Sequence, residues 1–251
     1  MKILLTNDDS HDSPLFLMAI ELLKQLGEIT VVVPAEEQSW QGKSMTRFGT
    51  LYVDHIDIHG TPAFSVTGTP ADCVNLALYN LMDGRPDVVV SGINIGINTG
   101  LGFVLVSGTL GACFEANIAG LPALALSQDM SREDYSRWNE ERKFSDAAIA
   151  EMRDVSQQSM PMIWHDFVLK LGPHRTTWNI NLPRHLTQSK IVRARLGKTF
   201  YGRCFSQRGD QYYHDLAEVA ADTDSTTDEV VVRSGSVSAT QIDISDIVQS
   251  T

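Results

Sequence analysis

Ile3, Leu4 and Leu5 form an unbroken apolar run that ends at Thr6-Asn7-Asp8-Asp9. A run without polar alternation marks a strand buried on both faces, which calls for a parallel sheet sandwiched between helices. The N-terminal half repeats that theme. Leu15, Phe16, Met18, Ala19, Leu22, Leu23 and Leu26 recur at helical spacing from Pro14 until Gly27 closes the segment, and Ile29 to Val33 is a second buried strand stopping at Pro34. Asp8 and Asp9 therefore stand at the carboxyl end of a sheet strand, where open α/β sheets collect ligands. Adjacent like charges repel, and a cation would relieve both the repulsion and the desolvation cost. A second reading stands open beside it: Asn7, Asp8 and Asp9 form a turn and cap the next helix.

Further along, Glu36 to Arg47 is polar and reads as a loop, and Thr50 to Ile58 alternates like one strand of a side hairpin. Thr69 as N-cap and Pro70 as first residue open a helix running to about Met82. Asp87 to Ser91 is a third buried strand, Gly108 to Ala119 a helix of small and apolar residues packed closely on the sheet, and Leu121 to Leu126 a fourth strand. Ser131 to Met160 reads as an exposed helical segment with ragged ends. Beyond Trp164 the expected elements are short strands at Val168 to Leu171, Trp178 to Leu182, Ile191 to Leu196 and Ser236 to Ile244, with a loop from Asp222 to Glu229. The pattern predicts one α/β domain over residues 1–251, with a three-layer core of about 1–130 plus strands after 164, a mostly parallel sheet and a β-rich C-terminal extension.

A formal charge of −11 argues against a nucleic acid polymer as partner, yet leaves small phosphorylated ligands open where a local metal attracts them. Cys73, Cys113 and Cys204 are odd in number and lack a CxxC spacing, which suits reduced thiols and a cytoplasmic location. No signal peptide and no run of membrane-spanning length is read from the sequence, so no membrane association is expected.

Ser91-Gly92-Ile93-Asn94-Ile95-Gly96-Ile97-Asn98 follows the third strand, so its polar groups are expected at the same sheet edge as Asp8 and Asp9. Asn94 offers a neutral oxygen ligand, and Ser107-Gly108-Thr109 opens a helix whose free amides and hydroxyls form a cradle for phosphate. Taken singly, the first segment is equally a turn and the second a cap. Ser39 could add a hydroxyl ligand; Lys43 and Arg47 could meet an anion or sit in solvent; His11 could shuttle protons or be solvated. Asp8, Asp9, Asn94 and Ser39 make an oxygen-only set, suited to Mg²⁺, Mn²⁺ or Ca²⁺. Such an ion polarises a phosphoryl oxygen and activates water, which points to phosphate-ester hydrolysis.

Asn7-Asp8-Asp9, Ser39 with Thr46, Gly68-Thr69-Pro70-Ala71-Asp72-Cys73-Val74, Ser91-Gly92-Ile93-Asn94 with Gly96 and Asn98, and Ser107-Gly108-Thr109 resemble the motifs of the SurE (survival protein E) nucleotidases. Asn181-Leu182-Pro183, Thr227-Asp228, Gly235, Val237, Ser238 and Thr240 extend the resemblance over nearly the whole chain. It implies a Rossmann-like fold and metal-dependent hydrolysis of nucleoside 5′- and 3′-monophosphates, with an extension at about 185–251 that builds homodimers or homotetramers. It further implies one divalent ion per subunit on Asp8, Asp9, Ser39 and Asn94, the two aspartates being catalytic, and a phosphate pocket of Asn98, Ser107, Gly108 and Thr109. The family usually has glycine where this chain has Ser10, Leu15 and Trp40, and the stretch Thr99 to Val106 is one residue longer than usual and lacks the family's acidic and aromatic residues. Trp40, beside Ser39, is expected either to stack on a base or to narrow the entrance.

Three other readings compete, and one of them, a haloacid-dehalogenase-type phosphatase, wants an Asp nucleophile in a DxD pattern, whereas the carboxylates here are adjacent. A receiver-type Mg²⁺-binding signalling domain would phosphorylate an aspartate such as Asp54 on a buried central strand, and a non-catalytic nucleotide-binding module would need the glycine-rich loop but not the acidic pair.

Overall fold

A computed structural model describes residues 1–170 and 175–248. The elements run β1 (Lys2–Thr6), α1 (Pro14–Leu23), β2 (Glu28–Pro34), β3 (Val53–Ile58), β4 (Thr61–Val66), α2 (Pro70–Leu76), β5 (Val88–Ile95), α3 (Leu101–Val106), α4 (Gly108–Ile118), β6 (Ala123–Gln128), α5 (Arg132–Glu141) and α6 (Asp146–Ile163). They continue with β7 (Thr176–Leu182), β8 (Ile191–Arg193), β9 (Phe200–Tyr201), β10 (Phe205–Arg208), β11 (Gln211–His214), β12 (Val219–Ala220), α7 (Asp228–Arg233) and β13 (Val237–Asp243).

The central sheet has the order β3-β4-β2-β1-β5-β6-β7-β13-β8 and is parallel from β4 through β7. Apolar continuity in the strands now has its physical cause. Ile3 and Leu5 of β1 join Val31, Val33, Val88 and Val90 in one core with α1 and α6, whereas Leu4, Val32 and Val89 face a second core with α2 and α4. Each side chain so buried contributes about 1.5–3 kcal/mol. The result is a Rossmann-like three-layer α/β fold. Because β1 lies between β2 and β5, with α1 covering one face and α2 the other, strand order reverses at β1 and opens a crevice beyond its carboxyl end.

Several expectations are corrected. Val168 ends a wide helical turn (Trp164–Val168) continuing α6 rather than starting a strand, and Leu171 lies outside the described residues. The segment 131–160 is two helices, and the second is no exposed face: Met152, Val155 and Met160 are buried in the first core. The strand expected at Ile191 to Leu196 ends at Arg193, and Asp228 and Glu229 open α7. The extension is narrower than 185–251, since β13 inserts between β7 and β8 in the central sheet. Outside that sheet, β10 and β11 form an antiparallel hairpin, and β12 pairs with β9. The β3–β4 pair is the side hairpin read from Thr50 to Ile58, at the sheet edge, and it leaves Asp54 exposed. That placement removes the buried central-strand aspartate a receiver domain requires.

Among the described residues, no helix is long and apolar enough to cross a membrane. Cys73 and Cys113 are buried free thiols, both pushed up by burial, and Cys204 is also free.

Candidate active site

The acidic pair is buried at the end of β1, Asp8 and Asp9 each 4% exposed. Each carboxylate is held from a different side. Thr109 Oγ1 donates to Asp8 Oδ1 (2.7 Å), and the backbone N–H of Ile95 donates to Asp9 Oδ2 (2.9 Å). Neither aspartate caps the following helix, whose N-cap is Ser13 without a side-chain bond. The turn reading does hold alongside the site, because Asn7 Nδ2 donates to Ser10 O (2.7 Å).

Burial sets the electrostatics. It pushes Asp8 up to about 6 against the lowering effect of its hydrogen bonds from Thr109, and it raises Asp9 well above the carboxylate range, with the Asp8 charge adding to the rise. Glu37 raises both, while Arg142, paired with Glu37, lowers Asp9. Such a pair is costly to ionise without a counter-charge, which is what a bound cation supplies.

Asn94 arrives by an irregularity in β5. The strand does not stop at Ser91 but runs to Ile95, with its register to β6 shifting between Ser91 and Asn94. Gly92 sits there at φ +120°, and a Cβ on it would lie 2.2 Å from Leu126 O, so only glycine fits. Asn94 Nδ2 donates to Gly96 O (2.7 Å), which leaves its oxygen as the ligand atom. Ser39 is exposed on the loop after β2 and donates to Glu37 Oε1 (2.6 Å). That loop is pinned over the pair, Gln38 N donating to Asp8 O (2.8 Å) and Gly42 N to Val106 O (2.8 Å).

The donor set fits a hard divalent ion: two crowded carboxylates, a carboxamide oxygen, a hydroxyl, and the buried Asn7 Oδ1, which has no hydrogen-bond partner. Among the described residues no group of three or more His, Cys, Asp or Glu gathers that could hold a metal ion, so an ion here would rest on two carboxylates completed by neutral oxygens.

The second half of the site is the start of α4. Ser107 caps this helix by accepting from Leu110 N (3.2 Å), so the capping reading is correct and coexists with a place at the site. Gly108 faces Asp8 so closely that a Cβ would meet Asp8 Cβ at 2.8 Å and Gln38 O at 3.0 Å. Asn98 Nδ2 donates to Ser127 Oγ (3.0 Å) and to Thr109 Oγ1 (3.3 Å). Its backbone is clamped by β7: Asn181 Oδ1 accepts from Asn98 N (2.8 Å), and Asn179 Nδ2 donates to Asn98 O (2.7 Å). Gly108→Ala is expected to displace the Asp8 side chain, lowering kcat about 100-fold and stability by about 1–3 kcal/mol, measurable by phosphate release and thermal unfolding.

Structure thus gathers Asp8, Asp9, Asn94, Asn98, Ser107, Gly108 and Thr109 at one sheet edge, with Ser39 and Trp40 on the loop that covers it. His11 instead lies 3.2 Å from Ser10 Oγ, Lys43 pairs with the buried Glu115 (2.5 Å), and Arg47 lies over Phe48. Sequence reasoning missed Glu37, Arg142 and Asn179, and it named Asn181 without its bond to Asn98; the polar alternation in Asn179-Ile180-Asn181 was the available signal for the last two.

The family model for survival protein SurE matches residues 3–203. The chain belongs to the SurE family. It is 36% identical over 234 residues to a protein named 5′-nucleotidase SurE from Methanocella arvoryzae, covering 90% of this chain and 85% of that one. A 5′-nucleotidase SurE from Methanopyrus kandleri is 33% identical over 244 residues, covering 96% and 91%. The crystal structure of SurE protein from Aquifex aeolicus superposes with a TM-score of 0.71 at 28% identity, covering 97% of this chain and 93% of that one. The chain is therefore a SurE-family enzyme. Ser10 (φ +69°) and Trp40 (φ +63°) occupy left-handed backbone positions, where glycine carries no penalty. Leu15 is a buried core residue of α1.

Proposed function

We propose that this chain hydrolyses nucleoside 5′-monophosphates, and 3′-monophosphates, to nucleoside and phosphate with one Mg²⁺, Mn²⁺ or Ca²⁺ per subunit. The single observation supporting this most strongly is the hydrogen bond from Thr109, in the first turn of α4, to Asp8. It joins a crowded acidic pair to a helix end that attracts anions, the two halves a metal-assisted phosphatase needs. Asp8, Asp9, Ser39 and Asn94 would hold the ion. Once bound, it would polarise a phosphoryl oxygen and lower the pKa of a water, providing the nucleophile at neutral pH.

The chain's own groups do the rest. The α4 amides at Gly108 and Thr109, with the Ser107 hydroxyl, receive the phosphoryl oxygens and stabilise the charge that develops on them, while the Asn98 carboxamide lines the pocket and holds Thr109 in place. Asn179 and Asn181 fix Asn98 through its backbone, so that this wall of the pocket is set before substrate arrives. The arm carrying β9 to β12 exposes Phe200, Phe205, Tyr212 and Val219, an apolar surface that a second copy would cover. Homodimer or homotetramer assembly through this arm is tested by light scattering, where a monomer at working concentration overturns it.

A panel of nucleoside monophosphates assayed with added Mg²⁺ or Mn²⁺ tests the activity. Phosphate released from nucleotides well above a background of simple esters supports the reading. Nucleotide binding without phosphate release would establish a binding module instead.

A further inference from the structure

We propose that the exposed indole of Trp40, backed by Phe103, Tyr201 and His214, forms an aromatic platform that receives the planar base of the leaving nucleoside, with Trp40 setting the preference for nucleotides over base-free phosphate esters. The proposal rests on the nucleotidase reading above and adds the subsite that reading leaves unassigned. Trp40 lies 4.7 Å from His214, 5.2 Å from Tyr201 and 6.2 Å from Phe103 between ring centroids, and Phe103 lies 5.7 Å from Tyr201. These rings come from three separate parts of the chain: the loop after β2, α3, and the arm at β9 and β11.

Their position relative to the site follows from connectivity. Trp40 is bonded to Ser39, and its loop is tied to Asp8 through Gln38 and to Val106 through Gly42, so it stands within two residues of both anchors. Phe103 belongs to the helix that runs directly into Ser107. A phosphate held at Ser107 to Thr109 would therefore place its ester substituent against these rings. None of the three neighbours stacks parallel on the indole, the interplanar angles being 83°, 56° and 67°, and Trp40 is 39% exposed. The part of the indole left in solvent is the surface a base would meet.

Strain points the same way. A bulky residue held at φ +63° costs free energy that a glycine would not, and such cost is tolerated where function requires it. The neighbouring cavity of about 290 Å³, lined by Ala35, Gln38, Thr46, Thr67 and Thr69, is a weaker candidate. Its threonine hydroxyls are already bonded to Asp72, Tyr52 and Ser44, and it presents no aromatic face.

Trp40→Gly suits the left-handed backbone and is expected to fold. Two measurements test the proposal on the full-length protein. The ratio of kcat/KM for adenosine 5′-monophosphate to that for ribose 5-phosphate should fall about tenfold in Trp40→Gly and be largely restored in Trp40→Phe. The affinity for adenosine, which carries no phosphate and needs no ion, should fall by a similar factor, read by calorimetry on metal-free protein. An unchanged ratio and unchanged adenosine affinity overturn the platform while leaving nucleotidase activity intact. A wild type that binds adenosine through Trp40 but releases phosphate from no nucleotide overturns the nucleotidase reading and supports the base subsite.

Discussion

Asp9→Asn is expected to reduce phosphate release by at least about 1,000-fold while making the metal-free fold more stable at neutral pH. The activity loss follows from charge: the amide keeps the shape of the side chain but removes one of two anionic ligands, and metal-assisted hydrolysis depends on the bound ion for its nucleophile. The gain in stability follows from burial. Asp9 is 4% exposed, beside Asp8, and raised well above the carboxylate range by desolvation first and by the Asp8 charge second. A neutral amide carries neither cost and still accepts the Ile95 N–H through its oxygen. A rise of about 1 kcal/mol or more in denaturant unfolding, together with lost turnover, separates this from a variant that fails to fold. Full activity in Asp9→Asn would sink the assignment of the pair.

The second large effect concerns pH. Asp8 is held at about 6 in the folded chain against an ordinary value of 3.8, so between these values the folded state keeps a proton that the unfolded chain has lost. Unfolding then releases protons, and stability falls as pH rises through that window, by about 3 kcal/mol at roughly 1.4 kcal/mol per pH unit. Asp9 and the buried Asp228 act in the same direction. Carboxylates held low, such as Asp224 at about 2 through its bonds from Thr226, exert their effect only below the ordinary carboxylate value. Metal-free protein is expected to lose stability between pH 4 and pH 6, measured by urea unfolding. Adding Mn²⁺ at pH 7 should restore about 2.7 kcal/mol at a hundredfold excess over its Kd. A flat profile, with no gain from Mn²⁺, would show that the pair carries no unrelieved charge.

Much of this architecture was legible before any coordinates. The apolar runs at Ile3 to Leu5 and Ile29 to Val33 announced parallel strands because both faces of each had to be buried, and the strand-end rule brought Asp8, Asn94 and Thr109 to one edge. Other features depend on contacts between residues far apart in sequence, which no local pattern carries. α3 was missed because an internal glycine and β-branched residues make it a poor helix by propensity; Leu101 N and Gly102 N are held by Gly197 O and Thr199 O. Asn94 was expected on a loop because Gly92 reads as a strand breaker, although here it makes the irregularity that keeps β5 running. The pairing of Arg142 with Glu37 at the rim of the site joins two ordinary charged residues with no motif between them.

The most direct test of the central claim is phosphate release from adenosine 5′-monophosphate by chelator-stripped protein before and after Mg²⁺ or Mn²⁺ is returned. The account predicts no release above background in the stripped protein and full recovery on titration with the ion. Undiminished release from protein shown to be free of metal would contradict it.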